Sequence, residues 1–196
     1  MPEPVALQHP IPDSVGSLTL QRADGTSIAL RECWAHSDAL ILCVRHFGCI
    51  ACAQQIGELR ERLADCEALS LSVTLIGCAE YQQINEWIER EQIRSLPMQV
   101  LTDPTLAVHR ALGLHHGVWR TWGAKAAVNF LRAFAKGYRQ RGFHGDVSQQ
   151  AGALMVDQTG TLWALHKSEH LGDLPSLPDL IEAAMSARLA RETLRL

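Results

Sequence analysis

Ala39-Leu40-Ile41-Leu42-Cys43-Val44-Arg45-His46-Phe47-Gly48-Cys49-Ile50-Ala51-Cys52 is the stretch on which the reading of this chain turns. Its first half is an unbroken apolar run of strand length, the pattern of a buried strand. The run ends in Gly48, and a polar, helix-periodic segment follows from Cys52. Two cysteines three residues apart thus fall where a strand hands over to a helix. If the helix begins near Cys49, residues at that spacing share one face and the two sulfurs can approach. The unsatisfied N–H groups and positive dipole end of a helix favour a thiolate, the reactive form of cysteine. Placed together, these features make the chemistry of a thiol–disulfide site. Two other readings stay open at this point. The cysteines could be small buried hydrophobes, or His46, Cys49, Cys52 and Cys43 could supply metal ligands. Against a metal, Cys43 should point into the sheet, and no second Cys-x-x-Cys or His pair completes a zinc pattern. The expectation is no metal and no cofactor.

Upstream, Met1 to Ser14 carries four prolines and little periodicity and reads as an irregular lead-in. Ser17 to Leu20 and Thr26 to Leu30 read as short strands, joined through the turn residues Ala23-Asp24-Gly25 into a hairpin. Downstream, Ile56, Leu59 and Leu63 space a helical apolar face. Leu69 to Ile76 is a second strand, and Tyr81, Ile84, Trp87 and Ile88 mark the next helix. After Pro97, Met98 to Leu101 is a short strand. Asp103-Pro104 should open a helix, with Pro104 suited to its first turn. Strands alternating with helices imply a parallel sheet. Ala151 to Val156 and Thr161 to His166 form a hairpin through Asp157-Gln158-Thr159-Gly160, adding antiparallel strands at the sheet edge. Pro178 to about Arg195 is a C-terminal helix with Ile181, Ala184, Met185 and Leu189 toward the core. The order predicts an α/β fold of thioredoxin-like layout: a central mixed sheet flanked by helices, an N-terminal hairpin and an insertion at about 112–150. A single domain over 1–196 is expected.

The composition narrows the partners. With 47% apolar and 20% charged residues, the chain has the make-up of a globular protein, and its net charge of −3 gives no global nucleic-acid signal. Met1 to Val15 lacks a basic region followed by an apolar run, so no signal peptide is expected. No apolar stretch approaches span length. These points predict a cytoplasmic protein with reduced thiols and neither a nucleic-acid nor a membrane partner. Cys43, Cys66 and Cys78 fall in or beside apolar segments and read as core residues; Cys33 is ambiguous.

Arg45-His46-Phe47-Gly48-Cys49-Ile50-Ala51-Cys52 resembles the Arg-x-Phe-Gly-Cys-x-x-Cys signature of the peroxiredoxin-like (alkyl hydroperoxide reductase/thiol-specific antioxidant-like) proteins of the thioredoxin superfamily. The likeness continues through Leu101-Thr102-Asp103-Pro104 and Leu112-Gly113-Leu114, then Gly145-Asp146, Gln149, Gly152, Val156-Asp157, Gly160, His166, Ser168, His170, Gly172 and Asp173. The resemblance implies a thiol-dependent oxidoreductase that reduces a disulfide or (hydro)peroxide. Its partners would be a small-molecule oxidant or protein disulfide and a thiol reductant. Cys49, Cys52 and Arg45 would be catalytic: Cys49 the more exposed and attacking, Cys52 resolving, Arg45 steadying a thiolate or oxyanion. In the superfamily's peroxidases the attacking cysteine sits one turn later, so the reverse assignment stays open. Phe47, Gly48, Gln149 and Gly152 would surround the substrate, Gly152 letting backbone approach the sulfurs where thioredoxins carry a cis-proline. The Pro-x-x-x-Thr/Ser scaffold of true peroxiredoxins is missing, which predicts weak peroxide reduction. The alternative is a non-catalytic redox-responsive or interaction protein on the same fold.

Within the insertion, Ala127, Phe130, Leu131, Phe134 and Tyr138 share one helical face, with Lys125, Arg132, Lys136 and Arg139 opposite. No Asp or Glu occurs from Leu112 to Gly145. A solvated basic face covering the sheet is the plainest reading. A lid over an anionic substrate, a homodimer contact or membrane-surface docking are the functional ones. Trp119 and Trp122 beside this helix could floor a pocket, but core is the plainer reading.

Overall fold

A computed structural model describes residues 5–193. Its framework is one eight-stranded sheet in the order β1-β8-β7-β4-β5-β6-β2-β3. The strands are β1 (Val5–Pro10), β2 (Thr19–Gln21), β3 (Ser27–Ala29), β4 (Ala39–Cys43), β5 (Ser72–Gly77), β6 (Gln99–Thr102), β7 (Gly152–Val156) and β8 (Thr161–Lys167). The helices are α1 (Asp13–Gly16), α2 (Ile50–Arg60), α3 (Leu63–Ala68), α4 (Gln82–Arg90), α5 (Ala107–Ala111), α6 (Val118–Trp122), α7 (Ala124–Ala135) and α8 (Leu177–Thr193). β4, β5 and β6 are parallel, linked by α2–α3 and by α4; β7 joins the other side of β4 antiparallel. This is the α/β architecture expected from the alternation.

β4 and β7 are the most enclosed strands, every residue buried, because both faces of the sheet are covered. Alternation across the pleat divides the core in two. Leu40, Leu42 and Val44 face one cluster, where α2, α3, α4 and α8 pack. Ala39, Ile41 and Cys43 face the other, with Leu20, Ile28, Leu30, Trp34 and Val108. The cysteines divide likewise: Cys49 and Cys52 belong to the first cluster, Cys33 and Cys43 to the second.

Several sequence expectations are corrected. The N-terminal lead-in contains β1, paired antiparallel with β8; its prolines at 2 and 4 lie outside the described residues. The β7–β8 hairpin is therefore interior, covered by β1 on one side and β4 on the other. Pro104 does not open a helix. The Asp103 carboxylate instead accepts from the N–H groups of Ala107 and Val108 at 3.0 and 2.8 Å, so α5 starts three residues later. On α8, Ile181 and Ala184 are buried as expected, whereas Met185 and Leu189 are exposed. The expected end of that helix near Arg195 lies outside the described residues.

Candidate active site

β4 delivers Arg45 and His46 to the end of the sheet, and α2 begins directly after Cys49, its N-cap residue. The helix tip is not open to solvent, contrary to the exposed thiol expected there. Cys49 is 3% and Cys52 1% exposed. The cover comes from far along the chain. The segment at 137–147 crosses the motif, with the Arg141 N–H donating to Gly48 O at 2.9 Å and the Phe47 N–H to His144 O at 3.3 Å. The first free N–H of the helix, on Ile50, is satisfied by the side-chain carbonyl of Gln140 at 3.1 Å. Gly48 is required by this crossing, since a Cβ there would sit 2.3 Å from Gly142 O.

Arg45 is the centre of the arrangement. It is 2% exposed, and its guanidinium spans four neighbours. Nε donates to Gln149 O at 2.9 Å, one terminal nitrogen to Cys49 Sγ at 3.3 Å, and the other to Thr121 Oγ1 at 3.0 Å and Val147 O at 2.5 Å. Three of these partners lie between residues 121 and 149, and no carboxylate is among them. A buried cation held by neutral acceptors and one sulfur favours an anion at that sulfur. The Arg45 backbone N–H meanwhile donates to Cys52 Sγ at 3.3 Å.

The two thiols are driven apart. The Cys52 thiol, as hydrogen-bond donor, holds Cys49 well below the ordinary thiol range; burial opposes this and the Arg45 charge assists it. Cys52 is pushed well up, first by burial and then by the negative charge at Cys49. Burial lowers His46 to about 4. The imidazole is thus neutral at pH 7 and accepts the Gly48 N–H at Nδ1, 3.3 Å away. The permanent positive charge beside Cys49 is Arg45's. Both cysteines are free thiols, and among the described residues no group of three metal-ligating side chains is brought together.

Beside the thiols lies a cavity of about 440 Å³, lined by Arg45 and His46 at its floor and by Thr121, Trp122, Phe130, Leu131, Phe143 and Leu171 among its walls. Arg45 bridges the two features: it lines the cavity and bonds the Cys49 sulfur. The four residues expected around the substrate lie outside the cavity lining. Phe47 packs on Trp87 at 4.6 Å between ring centroids. Gly48 lies under the crossing segment. Gly152 pairs with Cys43 in the sheet and is closed off by Leu114, which a Cβ would meet at 2.5 Å. Gln149 contributes through its carbonyl to Arg45. Thr121, Gln140 and Phe143 were not singled out from the sequence, because their proximity depends on a loop returning over the motif from ninety or so residues away. Trp122 lines the cavity rather than the core, and Trp119 is exposed. Tyr138 lies beyond the end of α7 and packs on Gly57 of α2.

With this geometry in place, comparison with known proteins is informative. A family model described as AhpC/TSA antioxidant enzyme matches residues 58–170, beginning just downstream of both cysteines. The chain is similar to Thioredoxin-like protein AAED1, chloroplastic, from Arabidopsis thaliana, 27% identical over 180 residues that cover 87% of this chain and 71% of that protein. It is also similar to Prostamide/prostaglandin F synthase from Xenopus tropicalis, 26% identical over 178 residues, 86% of this chain and 85% of that protein. Among solved structures, Bacterioferritin Comigratory Protein of Xanthomonas campestris superposes with a TM-score of 0.61 at 11% identity, over 95% of this chain and 98% of that one. That likeness shows the fold.

Proposed function

This chain belongs to the AhpC/TSA antioxidant enzyme family, and on that premise we propose that it is a thiol-dependent oxidoreductase reducing (hydro)peroxides through Cys49 and Cys52. The observation that carries the reading is the buried Arg45 guanidinium bonded to Cys49 Sγ at 3.3 Å with no carboxylate among its partners. A thiolate is the nucleophile in this chemistry, and Cys49 is the sulfur that the surroundings hold ionised.

The Cys49 thiolate attacks one peroxide oxygen. The O–O bond breaks, the sulfur becomes a sulfenic acid, and the second oxygen leaves as an alkoxide that takes a proton to become the alcohol. Arg45, which lines the cavity, steadies that departing oxygen. Cys52 then attacks Cys49 Sγ, forming the disulfide; the sulfenic hydroxyl leaves as water with the Cys52 proton. A thiol reductant returns two electrons and two protons. The cavity walls are apolar, which favours an organic peroxide over hydrogen peroxide. The names of similar proteins point the same way, one to a prostaglandin-forming synthase and one to alkyl peroxide reduction.

The test is intact mass and peptide mapping after one equivalent of an alkyl hydroperoxide. A Cys49–Cys52 disulfide, reversed by dithiothreitol, is the expected result. Both residues remaining alkylatable, with peroxide unconsumed, would favour a non-catalytic redox-responsive protein instead.

A further inference from the structure

The cavity mouth is bordered by side chains that a protein in water alone would cover. Trp122, Leu131 and Phe143 line it and are 65%, 65% and 63% exposed, and Trp119, one turn before Trp122 on α6, is 89% exposed. Val118 and Phe134 extend the surface. Aromatic and branched residues clustered in this way mark a contact surface. Its border is cationic: Arg139 stacks on Phe134, 4.1 Å from guanidinium carbon to ring centroid, and Arg141 is exposed nearby. No Asp or Glu occurs from Leu112 to Gly145, although the whole chain carries −3.

We propose that this rim docks the protein on anionic membrane surfaces, with Trp119, Trp122, Leu131 and Phe143 entering the boundary between headgroups and acyl chains. Tryptophan is suited to that boundary, since its ring is apolar and its N–H is a donor. Exposed cations beside an inserted apolar surface take the lipid phosphates and carboxylates. Charge selects this occupant over a second copy of the chain. Two copies meeting through this face would each bring the exposed Arg139 and Arg141 to the contact, with no carboxylate from residues 112–145 to offset them. A substrate in the cavity cannot be the cover either, because Trp119 lies outside it. Among the described residues no helix is long and apolar enough to cross a membrane, but docking needs no span. The proposal does not depend on the redox reading.

Co-sedimentation with vesicles of phosphatidylcholine, alone and mixed with phosphatidylserine, tests it without any peroxide present. The protein should pellet with the serine-containing vesicles, less so as salt is raised, and its tryptophan emission should shift to the blue. Trp119→Ser should lower partitioning on the order of tenfold, the scale of one lost aromatic insertion. Arg139→Glu should weaken binding to the serine-containing vesicles only. Both sites are exposed, and unchanged circular dichroism would show both variants folded. No pelleting at low salt, or pelleting untouched by Trp119→Ser, would overturn the proposal. So would a concentration-dependent dimer in sedimentation velocity that Trp119→Ser dissolves, with no vesicle binding.

Discussion

Each face of the sheet is packed against two buried cysteines, and of these four thiols Cys49 alone moves down. On one face, burial raises Cys33 to about 11 and pushes Cys43 higher still, with the Asp103 carboxylate adding to the second shift. On the other, Cys49 moves down, held by a hydrogen bond from Cys52 and by the Arg45 charge. Exposure does not separate the pairs, since all four residues are buried. What separates Cys49 from the other three is the hydrogen bond it receives from Cys52, with the Arg45 charge in support. Asp103 is kept anionic: burial alone would raise it, but the hydrogen bond and charge of His109 hold it below the usual carboxylate range. Arg45 puts a cation where the other face has an anion. Desolvation silences a thiol unless a donor and a positive charge are placed within the same dry space.

The largest expected effect breaks the comparison at its centre. Cys49→Ser should abolish peroxide consumption, while Cys52→Ser should still react once and stop as a sulfenic acid at Cys49, detectable by mass after trapping with dimedone. If Cys49→Ser still consumes peroxide and Cys52→Ser does not, the reactive sulfur is the other one, and the depressed thiol has been assigned the wrong role.

A second measurement sharpens which charge matters. His46, the other basic group beside Cys49, is pushed down to about 4 from 6.5. In the window between those values the unfolded chain binds a proton that the folded one refuses. Stability therefore falls as pH drops through it, by about 3 kcal/mol in all if His46 acts alone. Urea unfolding at pH 7 and pH 5 should show about 2 kcal/mol of this loss, the share that falls between 6.5 and 5, and His46→Gln should flatten it. A wild-type stability unchanged between those pH values would mean that His46 carries charge in the folded state, and Arg45 would no longer be the sole cation at the thiolate.

Removing Arg45 should bring the two faces closer together. Arg45→Met is expected to slow the attack about tenfold at pH 7, with the rate recovering as pH rises and more thiolate forms. Arg45→Lys keeps the charge without the fork that reaches Gln149, Thr121 and Val147, and should fall between the two. A pH-independent loss in Arg45→Met would indicate damage to the fold, so the recovery at high pH is the decisive readout.

Much of this was legible in the chain. The apolar run at Ala39 to Cys43, the break at Gly48 and the spacing of Cys49 and Cys52 are local signals, and local periodicity is what a single sequence encodes most directly. The fold class followed from the alternation of such segments. What could not be read depends on partners distant in sequence. β1 exists because β8 offers it a ladder, which overrides the prolines around it. The burial of Cys49 depends on the crossing segment near Gly142, and the pocket exists because α7 and that segment stand over the helix tip. From their apolar character Trp119 and Trp122 fit a core or a pocket floor, the core being the plainer reading. Both are exposed, although Thr121 on the same helix is buried, and Trp122 lines the cavity.

The smallest expected effect tests whether the quiet face is quiet. Cys43 sits in register with Ile76 of β5 and Gly152 of β7, wholly buried among Ile41, Leu101 and Leu154. Its sulfur fills space and, with its thiol pushed upward, stays protonated at neutral pH. Cys43→Ala removes one buried atom from a close-packed layer, which should cost about 1 kcal/mol in urea unfolding. It should leave the peroxide rate unchanged, because Cys43 is neither a partner of the Arg45 guanidinium nor part of the cavity lining. Cys43→Ser should cost more at the same volume, since a hydroxyl placed there needs a partner the apolar layer does not offer. A drop in peroxide rate in Cys43→Ala without a matching loss of stability would mean that the two faces communicate through β4, and the contrast between them would have to be redrawn as one coupled set of thiols.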